Sequence, residues 1–335
     1  MGKRVTRSPT PHDDYADRLK SGWESRRLAY RESEELLGLP VVCLFTSFRF
    51  WDGMIDDEAR EVLERAIETI KPGKGLALIL DSPGGYPLAA DRIVRVCRSL
   101  SGKKGFVCLV PGAAKSAATM IAMGAREIHM GPTSELGPID PQTIFHGTKG
   151  PMTIALAVIV DSYDELIGRL SPDGASSTGR RKGLYDDPIE QGRKDGTRYV
   201  AAGSPLALAI RDQLKRFDAH LVAQFRHDIE LSRDLAVKYL STGAMEGLEE
   251  SEIERRIKRF LLPAIAKNHG TPIYAEVAEA SGLKVKILEH GSIELKIIRS
   301  IRAALVDEMQ QSRLAICVES ASSSWAIPTA EGEEL

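Results

Sequence analysis

Apolar residues recur along this chain in two rhythms. The short runs PVVCLF at 40–45, GLALIL at 75–80, FVCLV at 106–110 and EIHM at 127–130 read as strands. The first three are almost unbroken, as a parallel strand covered on both faces requires. Between the runs the spacing turns helical. Ala59, Val62, Leu63, Ala66 and Ile70 share one face and stop at Lys71-Pro72-Gly73; Leu88, Ile93, Val96 and Leu100 share another, behind Pro87. A short helix from Ser116 to Met123 closes at Gly124. Strand, helix and strand in strict alternation imply right-handed crossovers and a parallel sheet, so the fold class is α/β.

Beyond residue 143 the rhythm weakens. Residues 171–198 are rich in glycine, serine and charge and read as a long loop. Ser204 to about Leu240 reads as one helix whose stripe is Leu206, Ile210, Leu214, Phe217, Leu221 and Phe225, more apolar surface than a lone arm needs. The stripe is therefore expected to carry subunit contacts in a homo-oligomer. Residues 250–266 and 294–311 read as further helices, and the stretch ESASSSWAIPTAEGEEL from Glu319 reads as a loose tail. The expected organisation is a helical N-terminal arm at 1–37, a core domain at 38–290, and a C-terminal helix and tail at 291–335.

Composition narrows the class. A formal charge of −2 leaves no basic footprint for nucleic acid. Cys43, Cys97, Cys108 and Cys317 form no CxxC pair and read as small buried hydrophobes, which suits a reducing, cytoplasmic setting. The longest apolar run, Ile154 to Val160, is far short of the ~20 residues of a spanning helix. The N-terminal MGKRVTRSPTPHDDY has no apolar segment behind its basic residues, so no secretory leader is expected. Neither a GxxxxGK[ST] loop nor a GxGxxG turn is present, and no cofactor or metal is expected.

Two segments carry candidate chemistry. DSPGG at 81–85 stands between a strand and a helix, where glycines adopt positive φ and admit a ligand to the backbone. The helix behind it leaves N–H groups unpaired, a setting for an anion or an oxyanion. PGAAKSAAT at 111–119 follows the next strand, and parallel topology brings both segments to the same sheet edge. Ser116 sits there among small alanines, either as a helix N-cap or as a nucleophile. In the second role, the N–H of Ala117 joins that of Gly84 or Gly85 as an oxyanion hole. Asp81 has a plainer reading as a local turn-former.

DSPGG, AKSAATMIAMGAREIHM and SELGPIDPQ, followed by NHGTPIYAEVAEASGLKV at 268–285, resemble the Clp-protease/crotonase-type superfamily of serine peptidases. The likeness is to the serine dehydrogenase proteinases, relatives of signal peptide peptidase A, and runs from about Val41 to Leu288. It implies a ClpP/crotonase-like core of repeated ββα units, self-association, a polypeptide substrate and hydrolysis without a cofactor. The general base departs from the relatives. Asp140 stands where Clp subunits carry a histidine, and Tyr199-Val200-Ala201 stands where signal peptide peptidase A relatives carry a lysine. An exchanged triad, with Asp140 orienting His269 and His269 deprotonating Ser116, would restore the chemistry. Lys115, His146 and Lys149 are the alternatives, and His129 reads as structural. The expected function is a cytoplasmic serine endopeptidase acting through a Ser116 acyl-enzyme, with extended substrate pairing near Gly84 and Gly85. The alternatives are a non-catalytic oligomeric scaffold with a degenerate base and an acyl-CoA enzyme of the crotonase kind. The sequence does not say whether a regulator or unfoldase feeds it.

Overall fold

The apolar runs of the N-terminal half become neighbours in one seven-stranded sheet. A computed structural model describes residues 11–147, 150–170, 204–261 and 271–330. The chain divides into two units: residues 1–137, 238–248 and 272–335 form the first, residues 138–237 and 249–271 the second. The first begins with α1 (Pro11–Leu37), β1 (Val41–Thr46), α2 (Asp57–Ile70), β2 (Leu76–Asp81) and α3 (Pro87–Leu100). It continues with β3 (Phe106–Val110), β4 (Ala113–Ala114), α4 (Ala117–Met123), β5 (Glu127–Met130) and β6 (Glu135–Leu136). The second unit carries β7 (Gln142–Gly147), β8 (Gly150–Ala155), α5 (Leu156–Leu170), α6 (Pro205–Leu214) and most of α7 (Ala219–Ser241), then α8 (Glu250–Arg256) and α9 (Lys258–Leu261). The first resumes with β9 (Ile273–Tyr274), α10 (Ala275–Ala280), β10 (Val285–Ile287), α11 (Ile293–Gln311), β11 (Leu314–Ser320) and β12 (Ser324–Pro328).

The sheet order is β10-β5-β3-β2-β1-β11-β12. The strands from β10 to β1 run parallel, whereas β11 and β12 are antiparallel additions. Side chains alternate across the sheet. Val41, Cys43, Phe45, Ala77, Ile79, Val107 and Leu109 share one core with Leu295, Ile298, Ile301, Leu305 and Met309 of α11. The intervening residues face the opposite side, where α2 lies against β1 and α3 lies against α2 and α4. Local signals fix the helices. The Asp56 carboxylate caps α2 by accepting the Ala59 N–H at 2.8 Å, and Lys71, at φ +52°, ends it.

The C-terminal segment differs from expectation. Residues 314–328 are no loose tail: β11 is buried along its length and pairs with β1. Glu319, 1% exposed, accepts two bonds from Arg26 of α1 at 2.7 and 2.9 Å, and one each from Tyr30 and Ser324. The N-terminal helix is thereby held against the sheet.

In the second unit, the helix expected from Ser204 to Leu240 is two. The break falls at residues 215–218, where the Asp218 carboxylate accepts the His220 and Leu221 N–H groups and starts a new helix. Ile210 and Phe225 of the predicted stripe are buried, while Leu206 and Leu221 are exposed. The segment 171–198 lies outside the described residues.

Candidate active site

β2 delivers Asp81 to the carboxyl edge of the parallel sheet, and β3 delivers the segment that carries Ser116 to the same edge. Short pairings weld the two turns together. Ser82 donates its N–H to the Ala113 carbonyl at 2.8 Å, and Lys115 donates its N–H to the Ser82 carbonyl at 3.0 Å. The Ser82 hydroxyl, fully buried, accepts the Gly84 N–H at 3.0 Å and bonds the Thr46 hydroxyl at 2.7 Å.

The two glycines have separate reasons to be glycine. At Gly84, φ is +117°, and a Cβ there would lie 2.7 Å from the Ser116 Cβ and 2.8 Å from the Lys115 carbonyl. At Gly85, a Cβ would lie 2.3 Å from the Ile55 carbonyl. Ile55 pairs with this turn, donating to the Gly84 carbonyl at 2.7 Å and accepting the Tyr86 N–H at 2.8 Å. In that parallel register the N–H and carbonyl of Gly85 itself point away from Ile55. One glycine admits the serine, and the other admits a neighbouring chain.

Ser116 occupies the N-cap position of α4, yet its side chain makes no cap bond. Its backbone has φ +49° and ψ −117°, one of three non-glycine residues with positive φ among those described. Such a conformation costs about 1–3 kcal/mol and persists where surrounding structure enforces it. The enforcement is visible. Thr119, buried, accepts the Gly137 N–H at 3.0 Å and shares its hydroxyl proton between the Ala114 and Gly137 carbonyls, at 2.7 and 3.0 Å. Ser116 is half-buried, and its hydroxyl has no partner among the described residues.

The backbone N–H groups of the two turns, those of Gly84, Gly85 and Ala117, are not equivalent. That of Gly84 is taken by Ser82. Those of Gly85 and Ala117 have no protein acceptor among the described residues. Lys115 does not lie open beside the serine: its ammonium is 2.8 Å from Glu135 and 3.4 Å from the Leu136 carbonyl.

Asp81 is not the local turn-former that its Ser-Pro context implies. It accepts the Ala113 N–H at 2.7 Å with one oxygen and the Arg302 Nε at 2.9 Å with the other. Burial pushes its carboxyl above the usual range, with Arg302 and the Ala113 N–H pulling it back. Sequence reasoning did not find Arg302, which lies 221 residues away on α11. His129 is structural: buried, with one ring nitrogen 2.5 Å from Glu294 and the other 2.9 Å from Glu127.

Asp140 is buried in the second unit, in the turn whose Ile139 N–H bonds the Phe260 carbonyl at 2.8 Å. His269 and Lys149 lie outside the described residues, and His146 is placed on β7. Among the described residues no group of histidine, cysteine and carboxylate side chains has the arrangement of a metal site, and no helix is long and apolar enough to cross a membrane. All four cysteines are buried thiols.

Comparison with known proteins meets this geometry at its centre. Two curated relatives, both uncharacterized proteins of Methanocaldococcus jannaschii, are 34% and 30% identical over 112 residues. Each match covers 33% of this chain, and 35% and 34% of the relatives, so the chain spans about a third of their length. Among solved structures, a mutant of a membrane-bound stomatin-specific protease is 23% identical over 34% of this chain and 56% of its own, with a TM-score of 0.27. ClpP1 from Listeria monocytogenes is 11% identical over 77% of this chain and 95% of its own, with a TM-score of 0.36. Residues 24–158 match the family described as ClpP-like SDH-type serine proteinase, a span that contains Gly84, Gly85, Lys115, Ser116, Ala117 and Asp140 but not His269. Over those residues, about two fifths of its length, the chain is similar to that family.

Proposed function

We propose that the protein is a serine endopeptidase in which Ser116 is the nucleophile and the N–H groups of Gly85 and Ala117 form the oxyanion hole. The observation that carries this reading is the strained, uncapped Ser116 set against Gly84, with the N–H groups of Gly85 and Ala117 in the same two turns left without a protein acceptor among the described residues. A serine that merely capped α4 would accept an N–H of the first turn and would need no positive φ.

In the proposed reaction the Ser116 Oγ attacks the carbonyl carbon of a peptide bond while a base removes its proton. The carbonyl oxygen takes up negative charge, and the two N–H groups stabilise it. The C–N bond breaks, the base returns the proton to the departing amine, and water hydrolyses the remaining ester. We assign the base to His269, oriented by Asp140, because the ammonium of Lys115 is already committed to Glu135. Substrate binds in extended form along the open side of Gly85, beside exposed Tyr86 and Leu88. The buried, unpaired cysteines support a cytoplasmic setting, and the exposed leucines of α6 and α7 support a homo-oligomer.

A fluorophosphonate probe tests the assignment. Labelling of the wild type and not of Ser116→Ala supports the nucleophile; equal labelling of both removes it. His269→Ala and Asp140→Ala should each slow labelling by at least tenfold, and unchanged rates in both would discard the exchanged triad. A wild type that takes no label and cleaves no peptide is the outcome expected of the non-catalytic scaffold.

A further inference from the structure

A cleft of about 370 Å³ opens in the first unit, lined by Gly112, Ala113, Thr133, Glu135, Arg299 and Arg302 among others. Its charges are unequally matched. Glu135 is already paired with Lys115. Arg302 gives its Nε to Asp81, and its two terminal nitrogens have no partner among the described residues. Arg299 has only the Thr133 hydroxyl, 2.6 Å from Nη2, and no carboxylate within ion-pair reach among the described residues.

The backbone is shaped around this guanidinium. A Cβ on Gly112 would lie 2.1 Å from the Arg302 Nε and 2.5 Å from the Asp81 Oδ1, so only glycine leaves room for the pair. Ala113, on the cleft wall, begins the strand that leads three residues on to Ser116. Three residues of extended chain span at most about 11 Å, which is also the reach of three residues of an extended substrate.

We propose that Arg299 and Arg302 form an oxyanion subsite that holds a carboxylate of the polypeptide substrate within about three residues of the scissile bond. Two guanidinium groups with donors to spare suit a carboxylate, which accepts paired N–H groups in its plane. This inference rests on the peptidase reading for its substrate. A free inorganic anion has the same chemistry, and the placement beside β4 favours the substrate-borne group.

The test uses full-length Ser116→Ala protein, so that binding is read without turnover. Fluorescent peptides carry Glu or Gln at successive positions, and anisotropy reports affinity. At one position the Glu peptide should bind at least tenfold more tightly than its Gln twin. Arg299→Ala should erase that preference, Arg299→Lys should retain part of it, and millimolar inorganic phosphate should displace the Glu peptide. Thermal unfolding checks each variant, with Arg299→Gln used where Arg299→Ala lowers the folded fraction. Glu and Gln peptides that bind alike at every position would overturn the proposal. So would Arg299-dependent phosphate binding that no peptide displaces, which would mark a site for a free anion. If the Glu preference holds while wild-type protein neither labels nor cleaves, the subsite stands and the catalytic reading falls.

Discussion

Gly84→Ala isolates the contact on which the site depends. The new Cβ would stand 2.7 Å from the Ser116 Cβ, and ordinary contact begins at 3.4 Å, so one turn must retreat by about 0.7 Å (3.4 less 2.7). The partner in that clash is a Cβ fixed to the backbone, and the Lys115 carbonyl at 2.8 Å blocks a second direction. Strain at φ +117° adds about 1–3 kcal/mol, and overpacking adds another ~1–3 kcal/mol. Misplacing a reacting group by about 1 Å costs roughly 10²-fold in rate, so fluorophosphonate labelling should fall by about 10- to 100-fold. Gly105→Ala is the control. Its φ is +60° and ψ −156°, a conformation that also disfavours a side chain, but nothing lies within 4 Å of the added carbon, so it should lose about 1–3 kcal/mol of stability from backbone strain alone and label at the wild-type rate. Labelling rate and urea midpoint are measured on the same preparations. A folded Gly84→Ala protein that labels normally would refute the claim that this glycine positions Ser116. Equal slowing in both variants would mean that general loosening, and not the contact, sets the rate.

Four further outcomes are expected. Glu319→Ala leaves buried Arg26 with only the more distant Glu308, 3.8 Å away, and should cost up to ~3–5 kcal/mol in urea denaturation, more than an exposed pair such as Arg169–Glu165 could lose. Burial pushes the Cys43 and Cys97 thiols up to about 12 and the Cys108 and Cys317 thiols up as well, so a thiol reagent should modify none of the four in native protein and all four in denaturant. Burial raises the Glu294 carboxyl, but hydrogen bonds from His129 and Lys286 outweigh it and hold the group below its ordinary value. Its stabilisation is therefore complete above the unfolded value, near 4.3, and is lost as pH falls through the folded one; Glu294→Gln should flatten the acid limb of a plot of Tm against pH. Light scattering at micromolar concentration should show an oligomer, and Leu206→Glu with Leu221→Glu should shift it toward monomer; a wild-type monomer would remove the subunit-contact reading.

The parts of this fold that could be read from sequence are those whose energetics are local or periodic. β1, β2, β3 and β5 are buried on both faces, so burial writes itself as short apolar runs, and α2 and α3 carry their faces and stops in adjacent residues. The edge strand β12 has no buried residue and lies in the run SSSWAIP, which no periodicity separates from a tail. β4 and β6 are two residues long and carry no pattern at all, yet they hold Ser116 and Glu135 in place. The break at Asp218 did leave a local sign, an Asp two residues before His220, but the apolar stripe running through it was the stronger pattern.

The candidate site divides along the same line. Gly84, Gly85, Ser116 and Ala117 were visible because a glycine pair and a small-residue serine are demanded by contacts within two short segments. Arg302 was invisible: it follows the buried Ile301 as any polar helix residue would, and its meaning comes from Asp81, 221 positions earlier. Asp81 misled for the complementary reason, since its Ser-Pro neighbours gave a sufficient local explanation while its bonds are long-range. The consequence is chemical. Asp81 joins α11 to the first residue of β4, so the helix that lines the arginine cleft and the strand that leads to Ser116 meet at a single carboxylate. Asp81→Asn keeps an acceptor for the Ala113 N–H but gives up the charge facing Arg302. It should preserve Ser116 labelling while loosening the guanidinium, whereas Asp81→Leu, which loses both bonds, should slow labelling as well.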